Sequence, residues 1–132
     1  MLSGDSPGIQ VEPVLTMSCV AVLPKGHRLT KLKKLKPADF AGEPFIAFPS
    51  ATPLREKIDA VFKAAKVERQ TVAEAGLGSS VCALVGAGLG VALINPLAAR
   101  EEYEANGVEV RPFSPSVPVT VCLLYTSDAA DE

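Results

Sequence analysis

Nucleophilic catalysis requires a serine or cysteine beside a basic histidine, so the histidine content limits the chemistry open to this chain. His27 is the only histidine, and it lies in a lysine-rich turn far in sequence from Ser50 and Cys82. The segment GLGSS at residues 76–80 is superficially similar to the G-x-S-x-G motif of hydrolases but does not match it. We therefore expect no catalytic triad, and we interpret His27 as a surface turn residue in preference to a ligand contact.

The cysteines offer little metal or redox chemistry. Cys19, Cys82 and Cys122 form no C-x-x-C pair, and a single histidine cannot complete the roughly four ligands of a structural zinc site. We interpret Cys82, in an apolar helical segment, as a small buried hydrophobic residue, with a redox-active or effector-contacting thiol as the alternative. No metal site and no cofactor are expected.

The carboxylates do not suggest an acid–base pair. Glu101, Glu102 and Glu104 fall mostly on one exposed helical face. Glu74 differs because it ends a predicted strand, where it is either a charged pocket group or a solvent-facing strand residue. With no paired acid and base in the sequence, the chain is predicted not to be an enzyme.

Two strand-to-helix junctions are better candidates for binding an anion. Residues 49–52 precede one predicted helix and residues 76–80 precede another. Each junction offers hydroxyls, free backbone N–H groups and the positive end of a helix. Ligands in open α/β sheets bind at the carboxyl ends of the strands, so both junctions, with Ala75, should line one cleft. Ordinary helix capping is the alternative interpretation of either junction alone.

The glycine cluster at residues 86–90 is a poor candidate for a phosphate-binding loop. Such a loop follows a strand and opens a helix, whereas these glycines close a predicted helix and open a strand. We expect Gly88 to end the helix in the left-handed conformation.

The candidate residues need an alternating framework of strands and helices to hold them. Apolar and β-branched runs predict strands at residues 14–23, 45–48, 69–75, 91–94, 108–111 and 117–121. Apolar residues at spacings of three and four predict a helix at residues 53–65. Capping residues and glycine or Asn-Pro boundaries predict further helices at residues 81–87 and 97–105. Thr52 is the expected N-cap of the first helix, and Ser79 or Ser80 that of the second. The short linkers are typical of half of a two-lobed α/β ligand-binding domain.

Composition agrees with one globular domain that does not bind nucleic acid by itself. The chain has 132 residues, of which 48% are hydrophobic and 21% charged, and its net charge is −2. The basic run TKLKKLK at residues 30–36 contains no aromatic residue, so we interpret it as a solvated connector. The N-terminus lacks the features of a secretory signal, and no apolar run reaches the length of a membrane span.

Four motifs closely resemble the effector-binding domain of LysR-type transcriptional regulators, and the resemblance covers about residues 11–121. They are VLPKGH, ADFAGEPFIAF, SSVCALVGAGLGVALINPLAA and VRPFSPSVPVTV. The last two look most like the branch that senses lysine precursors and opines. The resemblance implies an α/β fold like that of type 2 periplasmic binding proteins, truncated here to the second lobe plus flanking strands of the first. The chain departs from the family pattern at Arg28, where the family has a proline.

The resemblance also implies an effector and a set of residues that bind it. The effector would be a small amino acid, diaminopimelate or an opine-like molecule, held in the cleft between the lobes. The residues expected to bind it, by position in the family, are Ser50, Thr52, Ala75, Gly76 and Asn95. The helix at residues 80–87 would either pack against a second subunit or form part of the core.

Such regulators are cytoplasmic homo-oligomers with no membrane partner. They bind promoter DNA through an N-terminal winged helix-turn-helix, which is missing from this chain. We expect residues 1–121 to be a partial effector-binding domain, with about residues 25–115 forming the second lobe. Residues 122–132, CLLYTSDAADE, resemble the translation of a common sequencing adapter and are expected to be a non-native tail.

Fold does not determine function, so two rival classes stay open. The same fold serves as the solute-binding protein of a transporter, which a signal peptide in the full gene would favour, whereas a helix-turn-helix would favour the regulator. An enzyme of this fold, such as a prephenate-dehydratase-like lyase or a deaminase, is the third class. The lack of an acid–base or metal constellation in the sequence argues against it.

Overall fold

In the computed structural model, which describes residues 9–126, β-strands form a mixed sheet with helices on both faces. The elements in chain order are β1 (Ile9–Ser18), β2 (Val20–Pro24), β3 (Pro44–Ala47), α1 (Pro53–Ala64), β4 (Gln70–Glu74), α2 (Gly78–Gly86), β5 (Ala92–Ile94), α3 (Pro96–Asn106), β6 (Val108–Pro112) and β7 (Pro118–Thr126). Two short 3-10 helices, Arg28–Lys31 and Pro37–Phe40, lie in the connection between β2 and β3. The predicted alternation of strands and helices is confirmed.

Five of the strands join into one sheet. β3 and β4 pair in parallel, and β2 pairs antiparallel with both β5 and β6. A parallel bridge between Phe45 and Val91 connects the two groups, and the Val91 N–H donates to the Pro44 carbonyl at 2.9 Å. The resulting order is β4-β3-β5-β2-β6. Gly90 permits this close approach, because a Cβ atom there would lie 2.6 Å from the Pro44 carbonyl oxygen.

The chain enters and leaves the sheet through a separate ribbon, in which β1 and β7 pair antiparallel. The prediction of one strand over residues 14–23 is wrong, because the chain changes partners at Cys19. Up to Ser18 it pairs with β7, and from Val20 it pairs with β5 and β6. At the change, the Cys19 N–H donates to the Val117 carbonyl at 2.9 Å. A continuous β-branched run carries no information about such an exchange of partners.

Apolar cores lie on both faces of the joined sheet. Under α1, phenylalanine rings pack edge to face or stacked, with centroids 5.6–6.1 Å apart. These rings belong to Phe40, Phe45, Phe62 and Phe113. Each such pair adds about 0.5–1.5 kcal/mol of stability beyond burial. Under α2 and α3 the core is built of smaller residues, among them Val81 and Val85, both fully buried. Of the two interpretations of residues 80–87, packing in the core therefore holds for these valines.

The start of α1 agrees with the prediction. Thr52 is the N-cap, and its hydroxyl accepts a hydrogen bond from the Arg55 N–H at 3.3 Å. Pro53 occupies the first helical position, where its missing N–H costs nothing.

The predicted start of α2 is wrong. The helix begins at Gly78 instead of residue 81, and its first hydrogen bond runs from the Val81 N–H to the Leu77 carbonyl at 3.0 Å. Leu77 is the N-cap residue and makes no side-chain cap. Ser79 and Ser80 were expected to cap the helix but lie inside its first turn. The helix begins three residues before the predicted start, so the positions of the serine hydroxyls alone gave the wrong helix boundary.

α1 and α2 end in the same hydrogen-bond pattern with different residues at the critical position. Gly88 takes a φ of 87°, as predicted, and the Leu89 N–H then donates to the Leu84 carbonyl at 3.1 Å. At the end of α1 the same left-handed position is held by Lys66, with a φ of 59°. The Val67 N–H then makes the hydrogen bond that ends α1, as the Leu89 N–H does for α2. A side chain in this conformation costs about 1–2 kcal/mol relative to right-handed backbone.

The segment expected to be a non-native tail begins inside a strand. Residues 122–126 form the second half of β7 and pair with residues 9–13. Residues 127–132 lie outside the described part of the chain. Strand pairing does not reveal the origin of a segment, so the assignment of residues 122–132 to an adapter stays a prediction.

Candidate ligand-binding site

The carboxyl ends of three strands meet at one edge of the sheet. β3 and β4 run parallel, and the bridge between Phe45 and Val91 gives β5 the same direction. α1, α2 and α3 each begin just after one of these strands. All the predicted ligand-binding residues therefore lie along this edge, and the Ala75 N–H links two of the junctions by donating to the Ala47 carbonyl at 3.0 Å. We call this the switch edge, and it comprises residues 48–52, 75–80 and 95.

The first junction, before α1, is held by its own polar groups. The Thr52 hydroxyl donates to the Pro49 carbonyl at 2.8 Å while accepting from Arg55, so it is already committed to the backbone. Ser50 is exposed, and its hydroxyl bonds to no described group. Of the two residues predicted to touch a ligand here, Ser50 is the one with a free side chain.

The second junction, before α2, is open. Ala75 is half-buried and Gly76 is exposed, with nothing within 4 Å of where a Cβ atom of Gly76 would stand. In the described part of the chain, the backbone N–H groups of residues 78–80 donate to no protein acceptor, and the N-cap Leu77 adds none. Unsatisfied N–H groups at a helix start carry partial positive charge and bind anions readily.

The third junction, before α3, combines a cap with a free donor. The Asn95 side-chain oxygen accepts from the Leu97 N–H at 2.7 Å, which caps α3 as its N-cap. This bond fixes the orientation of the amide and leaves its NH₂ group as the outward donor. The predicted helix at residues 97–105 is thus confirmed in place, with Gly107 in the left-handed position after it.

Arg55 is a polar residue of this edge that the sequence reasoning missed. Its guanidinium donates to the Phe48 carbonyl at 2.8 Å and to Glu74 at 3.3 Å, and it also pairs with Asp59. It therefore ties the ends of β3 and β4 to α1. Glu74, which was interpreted as either a pocket group or a solvent-facing residue, is half-exposed and ion-paired. A signal was present: an arginine in the first turn of a helix opposes the macrodipole and indicates a tertiary acceptor.

Cys19, which lies between β1 and β2, is chemically quiet. Cys19 is buried beside the ribbon, and burial raises the pKa of its thiol to about 11 despite the opposing charge of Lys57. A protonated, buried thiol is neither a nucleophile nor a redox sensor. Cys82 is also buried, as expected from its apolar helix.

His27 lies at the opposite edge of the sheet, after the carboxyl end of β2. Its Nδ1 accepts from the Leu29 N–H at 3.0 Å and its Nε2 contacts Glu43 at 2.9 Å, so Nε2 carries the proton. Arg28 replaces the family's proline and pairs with the same carboxylate. Burial raises the pKa of Glu43, but hydrogen bonds from Arg28 and His27 outweigh it and leave the pKa below its ordinary value. His27 thus anchors a turn and takes no part in the switch edge.

A cavity of about 520 Å³ lies at the other end of α1, away from the switch edge. Arg69 lines it, with its guanidinium 4.3 Å from the centroid of the Phe62 ring and 4.7 Å from that of Phe45. The same guanidinium pairs with Asp59. One of its nitrogens is buried without a hydrogen-bond acceptor, and the aromatic faces supply its electrostatic partner. The charged lining of this cavity is therefore explained as a structural ion pair that packs on the aromatic core.

Two other kinds of site are not found in the part of the chain that the structure describes. No cluster of three or more histidine, cysteine, aspartate or glutamate side chains has the geometry to hold a metal ion. No helix between residues 9 and 126 is long and apolar enough to cross a membrane.

Comparison with known proteins gives a family match over the whole chain. The family model described as the LysR substrate binding domain matches residues 1–132. The transcriptional activator protein LysR of Escherichia coli (strain K12) is 40% identical over 117 residues, which are 89% of this chain and 37% of that protein. The regulatory protein NocR of Agrobacterium tumefaciens (strain T37) is 34% identical over 129 residues, or 98% and 43% of the two chains. The chain thus spans less than half the length of these curated relatives.

Solved structures confirm the predicted fold class. The effector binding domain of QuiR in complex with shikimate superposes with a TM-score of 0.75 at 20% identity, covering 96% of this chain and 60% of that one. At this identity the likeness establishes the fold alone. The α/β, periplasmic-binding-protein-like class expected from the sequence is therefore correct.

Proposed function

From the premise that the chain belongs to the LysR substrate-binding domain family, we propose that it is the effector-sensing region of a bacterial LysR-type regulator. In this role it binds a small amino acid, diaminopimelate or an opine-like ligand at the switch edge. Promoter DNA is contacted by a helix-turn-helix elsewhere in the full-length protein, which works as a cytoplasmic homo-oligomer and not as an enzyme.

One observation carries this proposal: helix starts and unbonded N–H groups converge on one sheet edge. The N–H groups of residues 78–80, the Ser50 hydroxyl and the Asn95 amide all offer donors there. Donors without a protein acceptor suit a carboxylate, which every ligand in the proposed class carries. Arg55 ties the end of β3 to α1 beside them, and its own charge is paired with Asp59 and Glu74.

Gly76 and Ala75 have a different proposed role from the donors. Neither has a side chain that reaches outward, and the space above Gly76 is open. They let the ligand approach the backbone closely. Thr52 holds the first junction in shape, because its hydroxyl is committed to Pro49 and Arg55.

The proposal also includes the limits of the domain. Residues 1–121 form part of the effector-binding domain, and about residues 25–115 form its second lobe. Residues 122–132 are a non-native tail. Sequencing the native gene across both ends tests these limits, since a helix-turn-helix upstream and a different C-terminus would support them. A signal peptide without a DNA-binding domain would contradict them and favour a transporter's solute-binding protein.

Titration of the ¹⁵N-labelled full chain with L-lysine, diaminopimelate and nopaline tests the site directly. We expect amide shifts concentrated at residues 50–52, 76–80 and 95 for at least one of these probes. Ser50→Ala should weaken that binding severalfold, whereas Lys63→Gln, a matched change on the far part of α1, should leave it unchanged. Absence of shifts at the switch edge with all three probes would overturn the site.

A further inference from the structure

Positive charge is concentrated in the connection between β2 and β3. Six of the 13 lysines and arginines of the chain fall within residues 25–36, and no aspartate or glutamate occurs between Glu12 and Asp39. We call residues 31–36 the basic segment, and its lysines are Lys31, Lys33, Lys34 and Lys36. All four are exposed, and no carboxylate whose side chain the structure describes forms an ion pair with them. Their charges therefore lack a partner within the described part of the chain.

The backbone of the basic segment is held against the sheet, although the sequence predicts a solvated connector. The Leu35 N–H donates to the Pro112 carbonyl at 2.9 Å, and the Leu35 carbonyl accepts from the Ser114 N–H at 2.9 Å. The Arg111 guanidinium donates to the Leu32 carbonyl at 3.2 Å. The lysine side chains are exposed as expected, but they project from a backbone that is already bonded. A partner therefore has to order only these side chains, which lowers the entropic cost of binding.

A depression of about 370 Å³ lies beside these lysines. Its lining residues are Leu32, Lys34, Leu35, Lys36, Asp39 and Ser114. Leu32 is 40% exposed, so the depression offers apolar surface next to unpaired cations. Asp39 is half-buried, and its carboxylate already accepts a hydrogen bond from the Lys36 N–H at 2.9 Å. At about 30 Å³ per water-sized group, the depression holds roughly twelve such groups, which is more than one leucine side chain fills.

An apolar depression beside unpaired cations favours a peptide over a nucleic acid. The backbone of duplex DNA is bound by cations and would leave the depression unfilled. Single-stranded nucleic acid binds where bases stack on aromatic residues, and the basic segment contains none. The net charge of −2 also opposes the approach of a large polyanion. A short acidic segment with one apolar side chain is complementary to both the cations and the depression.

We propose that the basic segment and its depression form a docking surface for an acidic segment of a partner protein. One apolar side chain of the partner enters the depression beside Leu32, and carboxylates on either side of it pair with Lys34 and Lys36. The surface shares no residue with the switch edge, so this inference goes beyond effector binding and does not depend on it.

A series of three synthetic peptides, capped at both ends, tests the surface on the full chain. DEDLDED carries carboxylates on both sides of one leucine, NQNLNQN is its uncharged counterpart, and DEDADED lacks the apolar anchor. At low ionic strength we expect DEDLDED to bind about tenfold tighter than NQNLNQN and about fivefold tighter than DEDADED. Fluorescence anisotropy of the labelled peptides measures the three dissociation constants.

Two matched double variants separate the charge of this surface from the overall charge. Lys34→Gln combined with Lys36→Gln should weaken binding of DEDLDED about fivefold to tenfold. Lys63→Gln combined with Lys66→Gln removes the same number of exposed charges at the far end of α1 and should change it by less than about twofold. Circular dichroism melts check that both variants are folded.

Leu32→Gln tests the depression separately from the charges. The substitution keeps every lysine and replaces the apolar wall by a polar one of similar size. The variant should therefore bind DEDLDED and DEDADED with about equal affinity, whereas the unaltered chain should prefer DEDLDED.

Several outcomes would overturn the docking surface. Equal binding of DEDLDED and NQNLNQN, or equal effects of the two double variants, would overturn it entirely. Equal binding of DEDLDED and DEDADED by the unaltered chain would overturn the role of the depression. Duplex DNA that displaced DEDLDED, and that bound less tightly after Lys34→Gln and Lys36→Gln, would overturn the peptide assignment in favour of a nucleic acid. The amino-acid titrations of the switch edge test the proposed function independently of all these results.

Discussion

The helices α1 and α2 begin at the same edge of the sheet, yet their ends are built in opposite ways. α1 has a side-chain cap at its start and a lysine at the left-handed position after its end. α2 has no cap at its start and a glycine at the corresponding position. The start of α1 is therefore stabilised by its own residues, whereas the start of α2 leaves its N–H groups available to a ligand. This difference makes the uncapped start of α2 a better candidate for ligand binding than the capped start of α1.

The largest expected effect comes from adding a side chain at Gly78, where α3 packs too closely against the start of α2 to leave space for one. A Cβ atom at Gly78 would lie 2.8 Å from the Cβ of Ala98 in α3, whereas Gly76 has open space around it. Gly78→Val should lower the free energy of unfolding by about 1–3 kcal/mol through overpacking. Gly76→Ala should change it by less than about 0.5 kcal/mol. Urea denaturation of both variants measures the contrast, and equal stability would mean that α2 and α3 do not pack as described.

Removing the cap of α1 should have the next largest effect. Thr52→Ala deletes the hydroxyl that bonds Arg55 and Pro49, so the free energy of unfolding should fall by about 1 kcal/mol. Ser50→Ala, two residues away, removes a hydroxyl with no protein partner and should leave the thermal midpoint unchanged. If Ser50→Ala were the more damaging change, the assignment of Thr52 as a structural cap and Ser50 as a ligand donor would be reversed.

Adding an N-cap to α2 should sharpen the comparison, because it should stabilise the chain and weaken ligand binding. Leu77 is 66% exposed, so Leu77→Ser loses little burial and gains a side-chain oxygen for the free N–H groups. We expect the free energy of unfolding to rise by about 0.5–1 kcal/mol, and we expect weaker binding of whichever probe (L-lysine, diaminopimelate or nopaline) shifts the switch edge. Parallel chemical denaturation and titration measure the two quantities. A variant that gained stability and kept its full affinity for that probe would show that these N–H groups do not hold its carboxylate.

The smallest expected effect lies at the far end of α1. Lys66→Gly relieves the left-handed strain at the position where α2 already has Gly88, and it should stabilise the chain by about 0.5–1 kcal/mol. The reverse substitution, Gly88→Lys, should destabilise α2 by a similar amount. Circular dichroism melts of the two variants, run against the unaltered chain, compare the two helix ends. Shifts of the same sign in both would contradict the shared hydrogen-bond pattern.

Local chemistry was enough to predict much of the framework. The start of α1 is marked by Thr52 and Pro53, that of α3 by Asn95 and Pro96, and the end of α2 by Gly88. Each of these residues satisfies a backbone group or relieves backbone strain within its own turn. Such signals need no partner from elsewhere in the chain. The motifs that resemble the LysR family likewise predicted the fold class correctly.

Features that depend on distant partners were not predicted. The break at Cys19 exists because Val117 takes its N–H while the flanking strands pair with different neighbours. The early start of α2 exists without any hydroxyl cap, and the role of Arg55 depends on acceptors in β3 and β4. Of these features only Arg55, in the first turn of a helix, has a local sequence signal, and that signal does not identify its acceptors.

The sequence by itself determined the family, the alternation of strands and helices, and most helix ends, since periodicity and capping act over a few residues. Only the tertiary structure decided which junctions share an edge and which of their polar groups are already bonded. The physical reason is that a hydroxyl or an N–H group has the same character in the sequence whether it is satisfied or free. Its availability to a ligand depends on partners that folding brings from far along the chain.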